Sequence, residues 1–240
     1  MRVAVELLPR GPRPDVVLLV DVLRASTSIA LLFERGAREV RVTPSLRLAR
    51  ELDADLVLGE REGIPPEGFF ASTSPAEILG LSLPEKRVVY TSENLPAALL
   101  AVKDAPHVLL AAFVNGPAAV RRALELARDE VAVVAAGHRG AEALDDALAA
   151  GFLAKKLLRA RPDAEPDDGA RVAAALLKAY PDPQEALWQS ASGRLLVSRG
   201  FIEDLAQASV IGRTDRVPRL VAFEEVRGQP VFTLIADGPA

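Results

Sequence analysis

Four carboxylates fall just beyond the ends of apolar runs: Asp21, Glu60 and the adjacent pair Asp145 and Asp146, with Arg24, Arg61 and Arg139 beside them. Hard oxygen ligands in small number suit magnesium, which keeps several waters and completes its shell with phosphate oxygens. A guanidinium meets phosphate or sulfonate oxygens through two parallel hydrogen bonds. Any one of these carboxylates alone is more often solvated or salt-bridged; their shared placement makes them a candidate site. A Ser-His-Asp hydrolase would have to use one of the two histidines; His107 begins a strand, whereas His138 sits in the flexible turn Gly137-His138-Arg139-Gly140 and is the better candidate, a surface histidine being its ordinary reading. The chain has no P-loop, no Gly-x-Gly-x-x-Gly, no Gly-x-Ser-x-Gly and no His-Glu-x-x-His. Cysteine is absent, which excludes disulfides, thiolate zinc sites and cysteine nucleophiles.

The elements that must position these groups are organised around Asp15–Arg38. Val16–Val20 is a short apolar run, fit for a strand buried on both faces. Asp21 falls at its end, and Arg24, Ala25, Ser26, Thr27 and Ser28 open an apolar helix that stops at Gly36. In open α/β sheets ligands bind beyond the carboxyl ends of strands, and free N–H groups at a helix start favour anions. Serine or threonine ahead of an apolar run is also an ordinary N-cap.

Further strands are expected at Arg2–Leu8, Glu39–Thr43, Ala54–Leu58, Arg87–Tyr90, His107–Ala112 and Val131–Ala135. They alternate with helices at Pro44–Leu52, after Ser74-Pro75, at Leu95–Val102, at Pro117–Ala127 with Asn115 as its cap, and from about Glu142. Ile64–Thr73 reads as a long loop. After Gly151 the pattern turns helical, over Ala154–Arg161, Asp168–Tyr180, Pro183–Gln189 and Arg194–Arg199, with Arg161–Gly169 a linker or exposed loop. Arg219–Phe223 and Pro230–Ile235 form a terminal hairpin across Val226–Gln229. The expected fold is α/β: a layered α/β/α arrangement with a mixed, largely parallel sheet and a helical C-terminal region ending in a β-hairpin. Residues 1–153 would carry the site, and 154–240 would pack on them as one compact unit.

With 240 residues, half of them hydrophobic, the chain can bury one large core or two modest ones. A net charge of −4 without a basic stripe argues against a nucleic-acid partner. No signal peptide and no apolar run of membrane-spanning length is present, so a cytoplasmic protein without membrane association is expected.

Val20-Asp21-Val22-Leu23-Arg24-Ala25-Ser26-Thr27-Ser28-Ile29 resembles the signature segment of the 2-phosphosulfolactate phosphatase family. The resemblance continues, in order and at similar spacing, through Gly59-Glu60-Arg61, Ser74-Pro75, Asn115, Ala136-Gly137, Leu144-Asp145-Asp146, Ala150-Gly151 and Val217-Pro218. It implies an α/β, magnesium-dependent phosphatase acting on the phosphate ester of a small sulfonated hydroxy acid, with a homodimer possible. On that reading Asp21, Glu60 and Asp145 or Asp146 hold the metal, and Asp21, Arg24 and Asp146 are catalytic. Arg24, Ser26, Thr27, Arg61, Asn94 and Arg139 bind the substrate. A water activated by the metal is then the expected nucleophile.

Several positions depart from the family's pattern. Ser92-Glu93-Asn94-Leu95-Pro96 stands for Thr-Thr-Asn-Gly-Thr, Ser72-Thr73-Ser74-Pro75 for Gly-Asn-Ser-Pro, and Ala135-Ala136-Gly137 for Cys-Ala-Gly. Asp145-Asp146 replaces Glu-Asp, and Ser192 stands before Gly193 in place of a histidine. These changes make a non-catalytic or substrate-shifted relative, binding an acidic metabolite or a partner protein, the alternative.

Overall fold

The computed structural model describes residues 1–237. In chain order the elements are β1 (Arg2–Glu6), β2 (Val16–Val20), α1 (Ala25–Glu34), β3 (Glu39–Val42), α2 (Leu46–Glu51), β4 (Leu56–Gly59), α3 (Pro75–Leu79), β5 (Arg87–Thr91), α4 (Leu95–Val102) and β6 (His107–Ala111). They continue with α5 (Gly116–Leu126), β7 (Glu130–Ala135), α6 (Leu144–Ala160), β8 (Glu165–Pro166), α7 (Asp168–Ala179), α8 (Pro183–Gln189), α9 (Ala191–Ser198), α10 (Ile202–Ser209), β9 (Val217–Val226) and β10 (Gln229–Asp237).

All the strands join one sheet in the order β4-β5-β3-β10-β9-β6-β2-β7-β1-β8. β2 is fully buried. Val16, Leu18 and Val20 pack with α5, α6 and α7, while Val17 and Leu19 pack with α1 and α4 on the other face. That alternation inside an unbroken apolar run is what a strand covered on both sides requires. Its register against β7 (Val16↔Val131) is pinned by Asp15. The Asp15 Oδ2 accepts the N–H groups of Arg128 (2.7 Å), Asp129 (2.8 Å) and Glu130 (3.1 Å).

The C-terminal hairpin is the joint of the sheet. β10 pairs antiparallel with β3, and β9 pairs antiparallel with both β10 and β6. It therefore links a parallel trio, β4-β5-β3, to a parallel set, β6-β2-β7-β1-β8, that runs in the opposite sense. Between β2 and β5 the sheet takes five steps. Twist of roughly 20–25° per step accumulates to about 100–125°, enough to turn opposed strands until their carboxyl ends can share a cavity. The hairpin closes through Arg227 (φ 53°) and Gly228 (φ 73°), the two left-handed residues of a type I′ turn.

Several local expectations are corrected. One helix, α6, runs unbroken through Gly151, because that glycine marks a helix crossing and not a break. A Cβ there would lie 2.2 Å from the Ala173 carbonyl oxygen of α7. Part of Arg161–Gly169 is strand β8, which pairs parallel with β1 at the sheet edge. Ile202–Ser209 forms a tenth helix where no element was expected. Asn115 makes no side-chain cap of α5. It ties the end of β6 to the approach of β9, accepting from Ala112 N–H (2.9 Å) and donating to the Leu110 and Arg216 carbonyls (3.1 Å each). Ser74 does cap α3, accepting from Glu77 N–H at 3.2 Å. Among the described residues no helix is long and apolar enough to cross a membrane.

Candidate active site

The turn after β2 is built from its own hydroxyls. The Ser26 hydroxyl donates to Leu19 O (3.2 Å) and accepts from Asp21 N–H (3.0 Å), and Thr27 donates to Val22 O (2.8 Å). Ser28 donates across to Thr73 O at 2.6 Å. All three side chains are buried. The cluster that opens α1 is therefore internal scaffolding. It fixes the backbone so that Asp21 and Arg24 face a small cavity, which Ser26 and Thr27 do not line.

Asp21, Arg24, Glu60 and Asn94 line that cavity, as do Thr73, Tyr90, Ser92, Glu93, His138 and Ser192. The lining draws on the carboxyl ends of β2, β4, β5 and β7, from both halves of the sheet. Arg61 is turned away: its guanidinium donates to the Glu60 carbonyl (2.7 Å) and to the Pro44 carbonyl. Arg139 lies at the rim. Its N–H donates to Asn94 Oδ1 (3.0 Å), and its side chain pairs with Glu62 (3.3 Å) and Glu93 (3.6 Å). Glu60 is held by two backbone donors, Gly63 N–H on Oε2 (3.0 Å) and Glu93 N–H on Oε1 (3.1 Å).

Arg24 has a partner the sequence does not announce. Its Nη1 donates to Asp204 Oδ2 at 2.9 Å and its Nη2 to Gly63 O at 2.9 Å, with the guanidinium over the Phe201 ring. Asp204 comes from α10 and is fully buried. It also accepts from the Ser74 hydroxyl and from Ala76 N–H (3.4 Å). Among the described residues Arg24 is the arginine in the cavity wall, and it is already neutralised.

Asp145 and Asp146 are buried in the first turn of α6, in electrostatic reach of Asp21. Asp146 bridges two turns, with Oδ1 accepting from Val22 N–H (2.7 Å) and Oδ2 from Gly137 N–H (3.0 Å). Gly137 takes φ +75°, and a Cβ on it would stand 2.4 Å from Leu8 Cδ2. Asp145 Oδ1 has no hydrogen-bond partner among the described residues.

Burial raises the pKa of Asp21, Asp145 and Asp146, and neighbouring carboxylate charges add to it at Asp21 and Asp146. Burial lifts Asp21 to about 7, helped by the charges of Asp145 and Glu60 and opposed by the Ala25 N–H and Arg24. Burial lifts Asp145 to about 6 against the pull of neighbouring backbone donors and the Ser190 hydroxyl. Asp146 is pushed well above the carboxylate range by burial and by the charges of Asp145 and Asp21, despite its two N–H donors. The Tyr90 phenol is also pushed up by burial, so it remains protonated.

This donor set suits magnesium. Its carboxylates offer oxygen, Arg24 is already paired with Asp204, and one buried carboxylate oxygen is left unpartnered among the described residues. Among the described residues no three His, Cys, Asp or Glu side chains converge into a ready metal cage. Magnesium needs only one or two protein carboxylates, the rest of its shell being water and substrate oxygen. Asp21 and Glu60 line the cavity together with Glu93, and Asp145 lies within electrostatic reach of Asp21.

The model of the 2-phosphosulpholactate phosphatase family matches residues 3–222. A probable 2-phosphosulfolactate phosphatase of Deinococcus radiodurans is 42% identical over 231 residues, 94% of this chain and 96% of that one. One of Thermus thermophilus is 43% identical over 225 residues, covering 92% and 94% of the two chains. One of Synechococcus sp. is 35% identical over 202 residues, covering 80% and 83%. With its signature turn, its cavity and this match over nearly its whole length, the chain belongs to the 2-phosphosulpholactate phosphatase family.

Proposed function

We propose that this protein is a magnesium-dependent phosphomonoesterase that removes phosphate from a small, sulfonated hydroxy acid; the names of its relatives support the phosphatase and the substrate class. The observation that carries the reading is the charge balance of the cavity. Asp21, Glu60 and Glu93 line it, while its one arginine is paired with Asp204. A dianionic ester enters such a cavity only with a cation, and magnesium, when bound, supplies that charge to the phosphoryl oxygens.

The chain's own residues do the rest. Asp21 and Glu60 would hold the cation, and the backbone donors on Glu60 fix its carboxylate. Asp146 holds the turns after β2 and β7 together, so that Asp21 and His138 line one cavity without Asp146 itself needing to reach the substrate. His138, which lines the cavity, is the side chain suited to handing a proton to the departing hydroxyl oxygen. Arg139 shields the rim by pairing with Glu93, so that this carboxylate does not face the incoming anion alone. The location within the cell and the possible homodimer stay expectations of the sequence.

Phosphate release from a panel of phosphorylated hydroxy acids, with and without a sulfonate and with magnesium or chelator, tests this. The expected result is turnover that needs magnesium and is fastest for a sulfonated ester. Release from no ester under any condition would refute it and favour the non-catalytic alternative. A second reading, a shifted substrate, is favoured by Glu93 in the cavity wall; it predicts turnover of a phosphate ester without a sulfonate.

A further inference from the structure

Three hydroxyls stand in the wall of this cavity with nothing to bond to. Thr73 and Tyr90 are fully buried and Ser92 is 5% exposed; all three line the cavity. Thr73 Oγ1, Tyr90 Oη and Ser92 Oγ have no hydrogen-bond partner among the described residues. Ser28 Oγ, whose own proton goes to the Thr73 carbonyl, is the nearest acceptor for the Tyr90 O–H, but the pair does not meet hydrogen-bond geometry. A buried hydroxyl without a partner is costly, and native proteins keep such groups where a ligand or ordered water completes them. Three in one wall, contributed by the loop before α3 and by the end of β5 with the residue just after it, are not accounted for by the packing of either element.

We infer that Thr73, Tyr90 and Ser92 form the oxyanion-binding wall of the site, donating three neutral hydrogen bonds to the oxygens of a tetrahedral anionic group of the substrate. The inference rests on the proposed function and deepens it. Arg24 spends Nη1 on Asp204 and Nη2 on Gly63 O, so its fork is not free to clamp the anion. Neutral donors add no charge, so they leave the cation requirement in place while fixing orientation. Among the described residues they replace the arginine clamp that the sequence suggests. The same tetrahedral chemistry is offered by the phosphoryl end and the sulfonate end of one ester.

The test uses the full chain in millimolar magnesium, with Tyr90→Phe, Thr73→Val and Ser92→Ala made singly. Binding of inorganic phosphate and of methanesulfonate is measured by calorimetry, melting of the ligand-free proteins is recorded, and ester hydrolysis is followed separately. Each variant should weaken one of the two probes about 10- to 100-fold, the range for a hydrogen bond to a charged group. The probe affected names the end of the ester held there. Because the lost hydroxyl had no partner, melting of the ligand-free variants should be unchanged or higher. Wild-type affinity for both probes in all three variants would overturn the inference, as would lost affinity accompanied by lower melting, the mark of a structural role. A wild type that binds neither probe would also overturn it. If the variants hydrolyse esters with wild-type KM, the wall is wrong and the phosphatase stands. If the wild type hydrolyses nothing but loses phosphate affinity on Tyr90→Phe, the wall stands and the phosphatase is wrong.

Discussion

Removing Asp204 should damage this protein more than removing any surface charge, although no chemistry is assigned to it. Its carboxylate and the Arg24 guanidinium have side chains 1% and 3% exposed and sit 2.9 Å apart. Truncating one partner of a buried ion pair leaves the other charge uncompensated, at a cost of about 3–5 kcal/mol. Asp204→Ala also strands the Ser74 hydroxyl and the Ala76 N–H, adding about 1 kcal/mol. The total, about 4–6 kcal/mol, corresponds to a fall in melting temperature of about 8–24 °C for a chain of this size. Urea unfolding with matched m-values is the assay. The double variant Arg24→Met with Asp204→Leu, which removes both charges, should lie much closer to the wild type, and the difference measures the coupling. A loss below about 1 kcal/mol for Asp204→Ala would refute the reasoning, because it would mean that Arg24 finds water or another anion in the folded protein.

Arg24→Lys should destabilise by about 1–3 kcal/mol. An ammonium cannot reach Asp204 and Gly63 O together while lying over Phe201; unchanged melting would show the fork to be dispensable. Magnesium should raise the melting temperature, and more at pH 8 than at pH 5. Asp21 and Asp145 are raised to about 7 and about 6 in the folded state. Their contribution to stability is therefore fully present below the unfolded carboxylate pKa of about 4 and is lost as pH rises through 6 and 7. A bound cation replaces the lost protons, and saturation a hundredfold above Kd is worth about 2.7 kcal/mol; a melting curve indifferent to magnesium at both pH values would remove the metal site. Gly151→Val should cost about 1–3 kcal/mol or more by forcing α6 from the Ala173 carbonyl, read by thermal melting. Ser192→His puts an imidazole into the cavity lining and should raise ester turnover if acid–base catalysis limits it, by up to about a hundredfold; no change would leave that role to His138.

Among the local features, the sequence determines those that depend on near neighbours. Val16–Val20 is apolar at every position, so only a strand covered on both faces can hold it, and the β2 bounds follow. Asp21 terminates the run, the helix after it has no polar stripe and is buried almost all round, and Ser74-Pro75 before Glu77 writes its own cap. From these the α/β class and the placing of Asp21, Arg24 and Glu60 at strand ends are legible. What only the tertiary structure decides is where long-range partners fall. Whether Ser26 and Thr27 meet a ligand or the backbone depends on the path of the Leu19–Val22 turn, which composition does not reveal. Arg61 and Arg24 look alike as arginines at strand ends, but one meets the Pro44 carbonyl and the other a carboxylate 180 residues away. The amphipathic turn Ile202–Ser209 is too short to stand out from its neighbours, so Asp204 stayed hidden until packing against α3 gave its burial a reason. The terminal hairpin carries ordinary strand and turn signals, but nothing in them states that it enters the middle of the sheet. That position follows from the unpaired edges of β3 and β6, each formed by residues more than a hundred positions earlier. Hydrogen-bond satisfaction of those edges is a property of the assembled chain, and it is what brings the carboxyl ends of two opposed strand sets around one cavity.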